Sequence, residues 1–297
     1  MTIAATDPAP VVVKPAEAGM GYQPGLDGLR ALSVVLVILY HAGVVRNAEA
    51  PIGTRNPWFF DGGFLGVEVF FVVSGFLITS LMLQERSRTG RVVLHQFWFR
   101  RFRRLLPALW VMIATCVVWA TFWGREYLAD LRADAFFGLF YAANFEQLAG
   151  KVSYFGGVPH LLRHLWSLAV EEHFYLFFPP VFALVLRKRS ASPRRLLRVV
   201  VPAAVLSAVL FMVVWAPPVE RLTDNGVQLD DTRQNWAYLS SFTRMAGILI
   251  GVSLAIVWSP WKRAAASRAA EGQGAESRGA ESRRNGCLLY TSPSPRD

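Results

Sequence analysis

The sequence has 297 residues, of which 53% are hydrophobic and only 18% charged, and its mean hydropathy is +0.32. This composition excludes an ordinary soluble domain and is typical of a polytopic membrane protein. The formal net charge of +10 comes mainly from arginines in short loops, which indicates orientation in a membrane rather than binding to nucleic acid.

The N-terminal part of the chain leads into the first apolar run. Residues 1–24 contain Pro, Ala and Asp without helical periodicity, so we expect a disordered cytoplasmic segment. The run at about 31–45 is predicted to be a retained membrane anchor, because no cleavable signal pattern precedes it. Arg30 and His41 are eleven residues apart in LDGLRALSVVLVILYHAG. They therefore project from one helical face, about 16 Å apart along the axis, and polar groups kept in such a helix indicate a functional site.

Two more apolar runs, 64–83 and 105–123, are each long enough to span a bilayer. Between them, residues 84–104 contain seven arginines against one glutamate. The positive-inside tendency places this loop in the cytoplasm. Because two spans precede it, the N-terminus is also predicted to be cytoplasmic.

Residues 135–149 resemble a further span, but their crossing would place the basic loop 187–198 outside. We therefore expect 135–149 to be re-entrant or packed in a cleft, since the segment is short and contains polar residues. Spans at 164–186, 196–216 and 239–258 then alternate in direction. The predicted fold is an all-α transmembrane bundle of about six spans with both ends in the cytoplasm.

The last part of the chain has a different composition. Residues 262–297 consist largely of Ala, Gly, Glu, Ser and Arg, and we expect them to be disordered. The terminal CLLYTSPSPRD resembles a translated sequencing adaptor. We therefore expect the natural reading frame to continue beyond about Trp261 with a different sequence.

The predicted topology separates the polar side chains into two layers. His41, Glu68 and Glu171 fall in the outer half, and Arg30 falls with the other arginines at the cytoplasmic rim. A histidine held by a carboxylate can take a proton from a hydroxyl, and arginines bind phosphates in a bidentate manner. An acyl donor with a phosphorylated head and a thin arm, such as acyl-CoA, would reach both layers.

Structural explanations stay open for each of these residues. Arg30 and His41 could be residues of the membrane interface, and Trp166 could belong to an interfacial aromatic belt. The arginines after residue 99 could serve only to orient the chain in the membrane. Glu68 and Glu171 are harder to explain this way, because a carboxylate at membrane depth costs at least about 2.5 kcal/mol. The sequence contains no metal-ligand spacing, P-loop, dinucleotide fingerprint or serine elbow.

Four ordered stretches resemble the integral-membrane acyltransferase 3 family: LDGLRALSVVLVILYH (26–41), GFLGVEVFFVVSGFLI (63–78), RRFRRLLPA (100–108) and HLWSLAVEEHFYLFFP (164–179). A fainter match is YLSSFTRMAGILIG (238–251), where Gly247 stands in place of the family's usual glutamate. The resemblance covers about residues 22–258. It implies that residues 25–261 form part of an acyltransferase 3 transmembrane domain, since such proteins usually have about ten spans.

The resemblance also implies roles for individual residues. His41 would be the essential base, and Glu68 and Glu171 would line the site. The residues expected to engage the CoA are Arg30, Arg100, Arg101, Arg103 and Arg104. Our own inference is that Glu68 orients the imidazole and that Glu171 helps to bind the acceptor, with Trp166, Ser167 and Arg244 as further substrate contacts.

The expected function is that of an O-acyltransferase for groups other than aminoacyl groups. It would move an acetyl or similar group from cytoplasmic acyl-CoA to a hydroxyl of a carbohydrate or glycolipid acceptor, with acyl-CoA as co-substrate and no permanently bound cofactor or metal. The expected location is the plasma (inner) membrane, as a multi-pass protein. The alternatives are a transporter or flippase, and a fragment that is inactive because spans are missing.

Overall fold

The structure is a computed structural model that describes residues 23–47, 61–150, 154, 161–188, 190–217, 219–223 and 226–258. The disordered segments predicted for 1–24 and 262–297 lie outside these residues, apart from residues 23 and 24, where the first helix begins. The expected change of sequence beyond Trp261 also lies outside them.

The described chain forms α-helices joined by short turns and one hairpin. In chain order the helices are α1 Pro24–Asn47, α2 Leu65–Thr89, α3 Leu94–Phe122, α4 Leu128–Leu139, α5 Ala143–Ala149, α6 Leu165–Val185, α7 Leu197–Val214, α8 Thr232–Leu239 and α9 Ser241–Val257. Short 3₁₀ turns lie at Asp61–Phe64, Arg125–Tyr127 and Pro193–Leu196. Six helical segments, built on α1, α2, α3, α6, α7 and α8 with α9, are long and apolar enough to cross a membrane. The predicted all-α bundle of six spans is confirmed.

Residues 135–149 do not form a span, as predicted. The segment is divided between α4 and α5, and the break contains Tyr141 in the left-handed region with φ 54°. Both helices pack against neighbouring helices of the bundle. Asn144 is fully buried, and its amide nitrogen donates to the carbonyl of Leu239 and to the hydroxyl of Ser241. The amide nitrogens of Asn144 and Gln147 thus find partners inside the protein, as expected of a cleft-packed segment.

A small hairpin lies in the connection between α7 and α8, where the sequence predicted only a loop. Strand β1 (Val219–Thr223) pairs antiparallel with β2 (Gly226–Asp230). It adds no layer to the bundle. The guanidinium of Arg233, just after the hairpin, donates to the carbonyls of Val213 and Val214 at the end of α7.

Helices α2, α6 and α9 form the centre of the bundle, since about half of each is buried, whereas α1, α3 and α7 are mostly exposed. Helix α1 runs antiparallel to α2: Gly66 lies against Ser33, and Phe70 lies under Arg30. A Cβ atom at Gly66 would collide with the carbonyl oxygen of Ser33, and one at Gly251 would collide with the backbone of α2. Glycine therefore allows these helices to approach closely.

Helix α3 runs antiparallel to α6, and three contacts set their register. The indole nitrogen of Trp98 donates to the carbonyl of Tyr175 at 2.9 Å. One turn further, Arg101 reaches Glu172, and Met112 meets His164 at the start of α6. At the other end, the guanidinium of Arg86 donates to carbonyls of the turn that follows α6. This register sets the relative depth of the polar residues of α3 and α6.

Candidate active site

A cavity of about 580 Å³ lies between α1, α2, α3 and α6. Its walls are mostly valine, leucine and other apolar side chains. The polar side chains that line it are Ser33, His41, His164, Ser167 and Glu171. Three residues predicted from the sequence, His41, Ser167 and Glu171, therefore share one cavity.

His41 carries a free ring nitrogen, and the backbone determines which one. Its Nδ1 lies 2.8 Å from the carbonyl oxygen of Val37, one turn earlier in α1. A carbonyl can only accept, so Nδ1 carries the hydrogen and donates it. Nε2 then keeps its lone pair, which is the arrangement that a general base needs. No carboxylate is required to hold this tautomer.

Glu68 does not contact His41 in the structure, so the geometry gives no support to the predicted orientation of the imidazole by this carboxylate. Glu68 instead forms an ion pair with Arg244 of α9 and lines a separate apolar groove. The physical reason is helical geometry. Gly66, Val67 and Phe70 face the cavity, and at about 100° per residue Glu68 lies on the other side of α2.

Glu171 lies at the opposite end of the cavity from His41 and belongs to a buried cluster. The hydroxyl of Tyr175 donates to Glu171 Oε1 at 2.6 Å. Arg101 donates from Nε to both carboxylate oxygens of Glu172, at 2.8 and 3.1 Å, and its Nη2 lies 3.7 Å from Glu171 Oε2. Its guanidinium also lies 3.3 Å from the centre of the Tyr175 ring. Arg101 is therefore held by the protein itself, with its guanidinium engaged by the two carboxylates.

The arginines of α3 do not act as one cluster. Arg101 lies inside the bundle rather than at its rim, because Glu172 precedes the end of α6 by thirteen residues, or about 20 Å. Arg100 pairs with Glu85 at 3.5 Å and is largely exposed. Arg103 and Arg104 are exposed and make no ion pair within the described ranges. Successive residues point in different directions on a helix, so only Arg103 and Arg104 remain open to an anionic ligand.

Arg30 lies one turn from Ser33 at the edge of the cavity. Its guanidinium is 5.0 Å from the centre of the Phe70 ring, and the side chain is half-buried. The structure places Arg30 on the helix that carries His41, about 16 Å away along the axis. It does not line the cavity itself.

Two predicted substrate contacts are buried in the core. Trp166 is 1% exposed and packs against Phe71, Tyr154 and Tyr238. Arg244 is 8% exposed, and its guanidinium lies 4.6 Å from the centre of the Tyr238 ring. Neither side chain lines the cavity, and their expected contact with substrate stays a prediction. A large aromatic ring in an apolar helix fits core packing equally well, which is why the sequence could not separate the two roles.

The sequence-based prediction missed His164. This residue directly precedes α6 and lines the cavity at the end where His41 lies. Its Nε2 is 3.4 Å from the sulfur of Met112, which is a weak partner. The one signal in the sequence that could have identified His164 is its position as the first residue of the stretch HLWSLAVEEHFYLFFP, which resembles the family.

The arrangement supports proton transfer at one end of an apolar cavity and anion binding near the other. His41 offers a lone pair, and arginines lie beyond the opposite end. Within the described ranges, no group of three or more His, Cys, Asp or Glu residues is arranged to hold a metal ion.

Comparison with known proteins gives one consistent result. A family model described as an acyltransferase domain, acyltransferase 3, matches residues 23–266. Peptidoglycan O-acetyltransferase OatA of Listeria monocytogenes is 40% identical over 244 residues, which is 82% of this chain and 35% of that protein. The putative peptidoglycan O-acetyltransferase YrhL of Bacillus subtilis is 40% identical over 249 residues, or 83% of this chain and 35% of the relative.

O-acetyltransferase OatA of Staphylococcus aureus is 35% identical over 241 residues, covering 81% of this chain and 35% of the relative. The chain thus spans about a third of the length of the curated relatives it matches. No solved structure matches it. Because the family model covers most of the sequence, and does so over the helices that build the cavity, the chain belongs to the acyltransferase 3 family.

Proposed function

We propose that this chain forms the membrane part of an O-acyltransferase that moves an acetyl group from cytoplasmic acyl-CoA to a hydroxyl of a glycan such as peptidoglycan. The observation that carries the proposal is His41, whose Nε2 is left free by the bond from Nδ1 to Val37 and whose ring lines the cavity. The names of the relatives support acetyl as the group and peptidoglycan as the acceptor.

His41 acts as the base in the proposed reaction. Its Nε2 takes the proton of the acceptor hydroxyl while the oxygen attacks the thioester carbon. The new C–O bond forms, and the C–S bond breaks when the tetrahedral intermediate collapses. The thiolate of CoA then takes the proton from the imidazolium, so that the ring ends neutral.

The donor approaches from the end of the cavity opposite to His41. The basic loop at 84–104 supports a cytoplasmic position for this end. Arg103, Arg104 and Arg30 provide guanidinium groups for the phosphates of acyl-CoA. The distance of about 16 Å from Arg30 to His41 suits the thin arm of such a donor.

The test uses membranes that contain the full chain, acetyl-CoA labelled in the acetyl group, and peptidoglycan glycan strands. The wild type should place label on the glycan, and His41→Gln should reduce the rate at least about 100-fold, because general-base catalysis commonly contributes that much. His95→Gln, an exposed histidine on α3, is the matched control and should keep the wild-type rate.

The outcomes separate the enzyme from a transporter. Label that crosses the membrane without appearing on the glycan would indicate transport and contradict the proposal. Normal transfer by His41→Gln would also contradict it, because the free Nε2 would then have no part in the reaction.

A further inference from the structure

We propose that Glu171 recognises the acyl donor rather than the acceptor, because its carboxylate accepts a hydrogen bond from an amide N–H in the pantetheine arm of acyl-CoA. This inference rests on the proposed function and names the part of the donor that the same cavity selects. It changes the role predicted for Glu171 from the sequence. It starts from the position of Glu171, which is only 3% exposed and still lines the cavity.

The polar groups that line the cavity besides the histidines can only accept hydrogen bonds. The hydroxyl of Ser33 donates its hydrogen to the carbonyl of Leu29 at 2.7 Å, and that of Ser167 donates to the carbonyl of His164 at 3.1 Å. Serines in helices commonly bond back to the preceding turn in this way. The carboxylate of Glu171 has no hydrogen to donate. A polar ligand in this cavity therefore has to supply the hydrogen-bond donors.

The protein balances the charge of Glu171 only in part. Arg101 donates from Nε to both oxygens of Glu172 at 2.8 and 3.1 Å, whereas its Nη2 lies 3.7 Å from Glu171 Oε2. One guanidinium thus faces two carboxylates, and Glu172 is the closer of them. Glu171 Oε1 accepts from the hydroxyl of Tyr175 at 2.6 Å. A carboxylate can accept about four hydrogen bonds, so Glu171 keeps the capacity to accept one from a ligand.

The position of Glu171 along the cavity fits the donor better than the acceptor. Glu171 follows His164 by seven residues, or about 10 Å of helix, and His164 lies at the same end as His41. The reacting hydroxyl has to reach His41, so the acceptor occupies that end. The donor enters from the other end, where Arg30 lies over the ring of Phe70. Its arm has to pass Glu171 before the thioester reaches the histidine.

The chemistry of the donor matches this acceptor. The arm of acyl-CoA contains two amides, and each has one N–H. In an apolar cavity an amide N–H without a partner is costly, because the water that it bonded has been removed. A hydrogen bond from an N–H to a carboxylate is about twice as strong as a neutral one. Glu171 therefore selects a donor that has an amide at this distance from its thioester.

The experiment compares donors that differ in a single N–H group. It measures initial rates of transfer from labelled acetyl-CoA to peptidoglycan glycan strands, in membranes with the full chain. Two analogues carry an ester oxygen in place of the N–H of one or the other amide. One of them should raise the KM of the wild type at least about 10-fold and leave kcat within about twofold, because the lost bond is made equally in the ground state and the transition state.

Glu171→Leu tests whether this carboxylate is the partner of the amide. The variant should raise the KM for acetyl-CoA at least about 10-fold, and the analogue should then raise it by less than about twofold more, because the N–H has already lost its acceptor. The KM for the glycan strands should stay within about twofold of the wild type. Glu171→Gln keeps a neutral acceptor, so its response to the analogue should lie between the two. Glu126→Gln, in the exposed turn after α3, is the matched control and should respond like the wild type.

The proposal is overturned if neither analogue raises the KM of the wild type, or if Glu171→Leu responds to the analogue as the wild type does. It is also overturned if Glu171→Leu raises the KM for the glycan strands and not that for acetyl-CoA, or if it lowers kcat alone. If Glu171→Leu does not fold, the comparison of Glu171→Gln with the wild type decides in the same way. A wild type that transfers no label from acetyl-CoA contradicts the proposed function itself, whereas equal transfer from all three donors contradicts only the role of Glu171.

Discussion

Two ion-pair clusters between helices of the bundle differ in what they leave open to a ligand. Between α3 and α6, Arg101 is shared by Glu171 and Glu172, and Glu171 still lines the cavity. Between α2 and α9, Glu68 pairs with Arg244, and neither lines that cavity. Both clusters are expected of charges at membrane depth, where an unpaired charge is costly. The position of a charged residue along the membrane normal therefore does not by itself indicate a catalytic role. Whether its side chain also faces the cavity must be known.

The two clusters also differ in the number of acids that one arginine satisfies. Arg101 balances two carboxylates and is almost as buried as they are, with 17% of its side chain exposed. Arg244 balances one carboxylate, whose side chain is 33% exposed. Removing a charge should therefore cost more in the first cluster than in the second.

The largest effect is expected for Arg101→Ala. It leaves the carboxylates of Glu171 and Glu172 buried without a cation, and breaking a buried pair typically costs about 3–5 kcal/mol. Thermal inactivation of the detergent-solubilised chain, followed by loss of the monodisperse peak in size-exclusion chromatography, measures this loss. Arg103→Ala on the same helix is the control, since Arg103 is exposed and should change stability by less than about 0.5 kcal/mol.

A combined Arg101→Met and Glu172→Leu variant extends this prediction. Replacement of a buried pair by apolar side chains of similar size is often neutral for stability, so most of the loss should be recovered. Equal stability of Arg101→Ala and the wild type would show that the cluster is solvated, and the contrast between the two clusters would then be invalid.

A smaller effect is expected for Glu68→Gln. The uncharged amide leaves Arg244 without its counter-charge, and loss of a charged hydrogen-bond partner costs about 1–3 kcal/mol. Acetyl transfer by the variant that remains folded should persist, because Glu68 does not line the cavity. Glu171→Gln is the matched variant: Arg101 keeps Glu172, so stability should change less while transfer falls.

A stable but inactive Glu68→Gln variant would contradict this prediction. If Glu68→Gln is as stable as the wild type but inactive, then Glu68 acts in the reaction and the structure shows it in a resting position. The measurements are labelled transfer to glycan and the thermal midpoint in the same membrane preparation.

The six spans were predictable because each can be recognised from its own length and apolar content and from the arginines in the adjacent loops. The same arginine bias required residues 135–149 not to cross the membrane, and the structure divides them between two short helices that do not form a span. The hairpin Val219–Asp230 was not predictable from those signals, since it lies outside the apolar runs.

The site was only partly predictable, because facing directions depend on rotation of each helix about its axis. His41 and Glu171 share a cavity as expected. Glu68 was placed at the correct end of α2 but on the wrong side, since the sequence contains no signal for which face of α2 meets α9. The bond from His41 to the carbonyl of Val37, which fixes the tautomer, could not be predicted either, because every residue has a backbone carbonyl and the sequence does not show which one is used.

The smallest effect concerns Gly247, which lies against Glu68. A Cβ atom there would be 2.8 Å from Glu68 Oε2 and 3.4 Å from the Cβ of Phe71. Glycine at this position therefore leaves space for the carboxylate that pairs with Arg244. Gly247→Ala should destabilise the chain by about 1 kcal/mol, because this overpacking outweighs the better helix propensity of alanine.

Gly28 offers a control in α1, since a Cβ atom there has no neighbour within 4 Å. Gly28→Ala should stabilise the chain by about 0.5–1 kcal/mol, so the two substitutions should differ in sign. Gly247→Ala should lose its cost in a Glu68→Ala background, because the side chain it displaces is then gone. A double-mutant cycle of thermal midpoints measures this coupling. Strict additivity would show that Gly247 affects stability through α9 alone, and that the Glu68–Arg244 pair does not depend on the space beside it.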